Sequence, residues 1–270
     1  MHPRISVSAI SSFQWSLTED LGFYAEAGIG NVGVSVAKLE RFGWDEGVQR
    51  VLDSGITVAN LIGLGPFHLA DPNQWDAQRA RLERALEAAG TFGAGCLVFT
   101  TGPAGALTWE QAADALERAM APVLSEAHAR DITFAIEHTN SLRVDVGFVH
   151  TLADDVDLAR RLSTGVCMEI NACWAERHLR DTIREGVGTV ALVQVSDYAI
   201  GTLSTPDRLV PGDGDIPIER ILGDVLDAGY TGMFDIELIG PRIEEEGYAS
   251  AIGRSVDWLG AALTRLGAPQ

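Results

Sequence analysis

Lysine is almost missing from this chain: Lys38 stands alone, and Lys and Arg together number 20 against 38 Asp and Glu, for a net charge of -18. A protein that grips a phosphate backbone needs clustered cations, so no nucleic-acid partner is expected. The absence of lysine near strand ends also gives no support to a Schiff base or to a phosphate on the substrate. Cysteine is scarce as well. Cys96, Cys167 and Cys173 make neither an even set nor a CxxC pair, which reads as reduced thiols in a cytoplasm. No apolar run approaches the length of a membrane span, and no charged segment followed by an apolar one opens the chain. The expectation is a soluble cytoplasmic protein with no membrane partner. No GxGxxG follows the first apolar run, which weakens the case for an open dinucleotide-binding sheet. Nor does a Ser/Pro-rich linker or a shift in composition divide the chain. Residues 1–270 are therefore expected to form a single domain, and 46% hydrophobic content allows a large core.

What is present is a repeat of short apolar runs: Ile5 to Ala9, Val32 to Val36, Ile56 to Ile62, Cys96 to Phe99, Ile132 to Ile136, Val166 to Ile170, Val190 to Val195 and Met233 to Leu238. Between most of them, apolar residues recur every three or four positions, as in Trp75 to Ala89, Trp109 to Arg130, Phe148 to Leu162, Ile216 to Ala228 and Ser250 to Leu266. Strand alternating with helix means parallel pairing, and eight such units predict a (β/α)8 barrel, with a doubly wound sheet as the competitor. Thr108 reads as a helix N-cap, and Gly90 and Gly229 read as helix stops. Residues 63–74 and 198–215 are the long loops expected over the functional face.

Polar residues stand at strand ends where apolar core would otherwise continue. Glu137 follows the fifth run, Glu169 sits in Met168-Glu169-Ile170-Asn171, Gln194 lies in the seventh run and Glu237 in the eighth. In a barrel these strands converge, and three glutamates crowded in little water either bind protons or need a cation. An all-oxygen set suits Mn2+ or Mg2+ better than Zn2+. Asn171 shares the strand parity of Glu169, so spacing alone does not decide which of the two faces inward.

Arg208, the run Pro211-Gly212-Asp213-Gly214-Asp215, and Gly229-Tyr230-Thr231-Gly232 complete a pattern. Together with the strand-end carboxylates it resembles the xylose isomerase-like superfamily of sugar phosphate isomerases and epimerases. The likeness runs over nearly the whole chain and is most specific from Ile132 onward. It implies a single divalent metal held at Glu137, Glu169, Gln194 and Glu237. It also implies a metal-dependent isomerase or epimerase that moves a proton beside a carbonyl of a small sugar-like substrate through an enediolate, with Glu137 and Glu237 as the catalytic base and acid. A dehydratase on the same scaffold is the alternative outcome. The chain departs from the family in having Glu169 for an Asp, Ala172 for a substrate-contacting His and Gln194 for a metal-binding His. These changes keep open a barrel that has lost metal and catalysis and only binds a ligand. Retention is favoured because three glutamates without a cation are hard to stabilise. An endonuclease is not expected of so acidic a chain.

Further substrate contacts are expected from Arg208, which would hold a substrate oxygen or pair with Asp213 or Asp215. Asn171, Trp174, His68 in its long loop, and Asp197, which would fix Arg208 or line the site, are the others. Trp15, Phe67, Trp174 and Tyr198 would wall an apolar pocket and so favour a substrate less polar than a free sugar. His138 is expected to support the site rather than ligate, and Arg242 to be the one anion contact. Relatives commonly form homo-oligomers, but no feature here specifies an interface.

Overall fold

The computed structural model describes residues 1–269. Eight parallel strands close on themselves in sequence order: β1 (Ile5–Ser8), β2 (Asn31–Ser35), β3 (Thr57–Leu64), β4 (Cys96–Thr100), β5 (Thr133–Glu137), β6 (Gly165–Glu169), β7 (Val190–Val195) and β8 (Met233–Ile236), with β8 pairing back onto β1. Around them lie α1 (Leu17–Ala27), α2 (Val36–Phe42), α3 (Trp44–Ser54), α4 (Trp75–Phe92), α5 (Trp109–Ala129), α6 (Leu152–Leu162), α7 (Ile170–Cys173), α8 (Leu179–Gly186), α9 (Ile218–Asp227), α10 (Pro241–Glu246) and α11 (Tyr248–Arg265). The expected (β/α)8 barrel is the fold. No helix among the described residues is long and apolar enough to cross a membrane.

Side chains alternate along each strand, so the sheet separates two cores. The larger core lies between sheet and helices and includes Ile5, Val7, Leu97, Phe99, Phe134, Ile136 and Phe234. A smaller one, built from Ile62, Cys96, Val98, Ala135, Cys167 and Leu192, fills the barrel. Burial on both faces explains why the strands read as near-continuous apolar runs.

Helix ends follow local chemistry. Thr108 caps α5 in a capping box with Gln111, each side chain bonding the other's backbone N–H. Gly229 follows the last turn of α9. Gly90 does not stop α4, which runs on to Phe92 and ends at Gly93, where φ is 65°. The stop lies where the chain turns left-handed, not at the first glycine. Helix α6 starts at Leu152, capped by Thr151, rather than at Phe148, so a third long loop, residues 138–151, follows β5.

Candidate active site at the mouth of the barrel

The inward-facing residues of β5 to β8 converge at the C-terminal end of the barrel. Glu137 ends β5 two positions after Ala135, and Glu169 ends β6 two positions after Cys167. Gln194 of β7 pairs in register with Glu169, and Glu237 follows β8 two positions after Asp235. One oxygen from each of Glu137, Glu169 and Glu237 lies within 4.8 Å of the other two. Glu169 and Glu237 are only 2% and 4% exposed, whereas Glu137 is half-buried and open to a cavity of about 270 Å3.

Arg208 completes the cluster. Its backbone N–H donates to Ile239 O at 3.0 Å, tying the loop after β7 to the end of β8. Its Nη1 donates to Glu237 Oε2 and, at 3.0 Å, to Glu237 O, and lies 2.8 Å from Glu169 Oε2. Gln194 Nε2 donates to Glu237 Oε1 at 3.0 Å. The contact with Glu169 is a close charge contact without hydrogen-bond alignment. Glu169 Oε2 and Gln194 Oε1 therefore lie buried with no hydrogen-bond partner.

Burial, and then the charges of Glu237 and Glu169, push the Glu137 carboxyl well above its usual range, against the pull of Arg208. Burial also raises Glu237, but Arg208 opposes it. Burial works against the charge on Arg208, yet Glu169, Glu237 and Glu137 more than offset it and hold the guanidinium protonated.

The remaining expected contacts divide. Asn171 lines the cavity, but it belongs to α7 and not to the strand. The chain turns at Glu169, whose Oε1 accepts the Asn171 N–H at 2.9 Å, so strand parity never applied to Asn171. Its Nδ2 donates to Asp197 O at 3.2 Å. Asp197 does not face a substrate and does not touch Arg208. Its Oδ1 accepts the N–H of Tyr198 and Ile216, and its Oδ2 those of Gly212 and Gly214. Helix α9 starts at Ile218, after Pro217, rather than at Ile216. His68 is exposed and lies off the cavity, as does Trp174, which packs against the outer core. Trp15 packs edge-on against Phe23 and Tyr248, and Phe67 against Phe99, which leaves Tyr198 as the one expected aromatic on the cavity wall. Arg208 pairs with neither Asp213 nor Asp215; Arg254 takes Asp213. Arg242 is engaged with Asp207, 3.6 Å away. His138 is buried beside Glu137 at the edge of the cavity, with Nδ1 3.0 Å from Asp155 Oδ2.

Sequence reasoning missed Thr100, Asn140 and Arg143, which line the cavity from β4 and the third long loop. The polar turn-forming stretch from Thr139 to Gly147, ahead of Phe148, was the signal for that loop. It also missed Asp235. This residue is buried beneath the glutamates, accepts from Ser6 Oγ at 2.5 Å, and is pushed by burial up to about 7. The folded protein thus binds more protons than the unfolded one between the ordinary Asp range near 4 and about 7, so stability falls as pH rises through that window. Asp235→Asn keeps an acceptor for Ser6. It should add up to roughly 4 kcal/mol at pH 8 and almost nothing near pH 3, flattening the dependence of Tm on pH. Equal effects at both pH values would refute the assignment.

The sequence profile described as xylose isomerase-like TIM barrel matches residues 21–261. No curated protein gives a significant sequence match. Among solved structures, a protein from Sinorhizobium meliloti 1021 superposes with a TM-score of 0.84 at 22% identity, covering 94% of this chain and 96% of that one. The IOLI protein, solved with a bound zinc atom, gives 0.83 at 14% identity over 98% and 100%. D-psicose 3-epimerase from Clostridium cellulolyticum H10, solved with D-tagatose, gives 0.76 at 15% identity over 96% and 99%. At such identities the structural likeness speaks for the fold, and the profile match over most of the chain places it further: this protein belongs to the xylose isomerase-like TIM barrel family.

Proposed function

We propose that this protein is a divalent-cation-dependent isomerase or epimerase that moves a proton beside a carbonyl of a small hydroxylated substrate. The observation that carries this reading is the trio of carboxylate oxygens gathered within 4.8 Å at the mouth of the barrel, where sites of this fold lie. The donors fit a cation: three carboxylates plus Gln194 Oε1, buried and without a partner, make an all-oxygen set. Such a set suits Mn2+ or Mg2+ better than Zn2+. The zinc of the IOLI protein and the D-tagatose of D-psicose 3-epimerase, on similar barrels, support the class.

When bound, the cation supplies Lewis acidity that polarises a carbonyl. The protein does the rest. Glu137 faces the cavity and Glu237 is steadied by Gln194 and Arg208, so one removes the proton from carbon and the other returns it. Arg208 gives Nη1 to Glu237 and Glu169 and keeps Nε and Nη2 to donate to a substrate oxygen. Return of the proton to the same carbon from the other face is epimerisation, and return to the neighbouring carbon is isomerisation. Expulsion of a β-hydroxyl would make the reaction a dehydration, which remains the alternative outcome. The cavity of about 270 Å3 favours a small molecule, and the three free, buried cysteines agree with a cytoplasmic setting.

A second reading has its own observation. Arg208 already bridges Glu169 and Glu237 as a built-in cation, which suits metal-free proton transfer or ligand binding without turnover. Elemental analysis of protein purified without chelators, with Mn2+ titration of wild type and Glu237→Gln, separates the two. Near-stoichiometric binding that the variant loses is expected. Wild-type protein that takes up no Mn2+ would leave the second reading standing.

A further inference from the structure

The cavity is divided by chemistry. Every carboxylate on its floor comes from the β5–β8 side. From the β1–β4 side it is lined by Ile10, Ile62, Leu64, Pro66 and Val98, and the one polar side chain there is Thr100. Ser8 builds part of this wall: its Oγ accepts the Ile10 N–H at 3.2 Å and folds the turn that places Ile10 at the cavity. Ile62 and Val98 continue downward into the apolar filling of the barrel, so that wall is backed by hydrocarbon and not by water.

The cations are committed too. Two arginines, Arg143 and Arg208, line the cavity and no lysine does, while the buried His138 at its edge is turned to Asp155. Arg143 spends Nε and Nη2 on Asp145 at 3.0 and 3.1 Å, and Arg208 is held by Glu169 and Glu237. Each guanidinium is already neutralised by carboxylates of this chain, so neither offers an unpaired charge to a phosphate or a carboxylate. A free ketose would set several hydroxyls against the aliphatic wall, where each loses its water and gains no partner.

We infer that the substrate is an uncharged α-hydroxy ketone or aldehyde carrying a branched aliphatic or aromatic group, with its hydroxy-carbonyl end at the glutamates and its apolar group against Ile10, Ile62 and Val98. The orientation of the reacting end rests on the proton-transfer reading; the nature of the other end rests on the wall alone.

Calorimetric titration of Mn2+-supplemented protein with 1-hydroxy-3-phenylpropan-2-one and with D-fructose tests this, alongside entry of solvent deuterium into each compound. The phenyl ketone should bind on the order of 100-fold more tightly, as burial of an aromatic group predicts. Val98→Thr, close in shape to the native residue, should narrow that gap, and Ile10→Thr, in the turn outside the strands, gives the same readout if the first variant folds poorly. A gap without deuterium entry supports this substrate class while refuting proton transfer. D-fructose binding as tightly or more tightly overturns the inference whether or not exchange occurs, and so does binding of neither compound.

Discussion

Arg208→Gln should destabilise the metal-free protein by about 3–5 kcal/mol, the usual consequence of leaving buried charge without its partner. Glu169 and Glu237 both lean on this one guanidinium, and Glu137 stands close by. Stripped of it, the carboxylates must either repel one another or take up protons. The loss should therefore be larger at pH 8 than at pH 5, where protonation relieves the repulsion. Added Mn2+ should restore most of the stability, because the ion would supply the missing charge. Urea unfolding with chelator and with Mn2+, at both pH values, measures this. A loss indifferent to pH and to Mn2+ would mean that Arg208 matters only through packing of its loop.

Glu137→Gln should have the opposite profile. Loss of a group that exchanges a proton with the substrate costs about 10²- to 10⁴-fold in rate. The carboxyl is raised by burial and by Glu237 and Glu169, so the folded state is favoured when it carries its proton, and that benefit is lost as pH rises. A neutral amide escapes this cost, so the variant should be at least as stable as wild type at pH 8 while nearly inactive. Deuterium exchange into substrate, set beside thermal unfolding, reads both quantities. Full activity in Glu137→Gln would remove this residue from the mechanism.

The barrel was legible because its strands are buried on both faces and its helices on one, which writes two different periods into the chain. The carboxylates were legible for a related reason: Glu137, Glu169 and Glu237 interrupt apolar runs, and an interrupted run in a closed barrel can only point at its neighbours. Asp197 and Asn171 each sit just past a strand end, where alternation is no guide, and of the two Asn171 lines the cavity and Asp197 does not. Asp197 turns to the loop backbone, and Asn171 has already entered α7. The partner of Arg208 was hidden as well. It depends on how the loop after β7 folds back onto Ile239, a contact between segments far apart in the chain. Asp235 escaped notice because Glu237, two residues on, drew the attention in the same run, and its other neighbours, Ser6 and Glu169, come from other strands.

The four backbone N–H groups gathered by Asp197 have a consequence for how the loop after β7 can be varied. Tyr198 and the segment from Gly212 to Ile216 are fastened to one buried carboxylate, and Leu209 is paired with the backbone of the same residue. Between these fixed points the chain swings outward through Ile200 and Leu203, 68% and 82% exposed. Ile200 N–H is tied to Asp215 Oδ2 at 2.8 Å, so the replaceable part of this loop is residues 201–204. Their length and sequence can be exchanged, by evolution or by design, to change what approaches the mouth of the barrel, while Arg208 and the glutamates below keep their places.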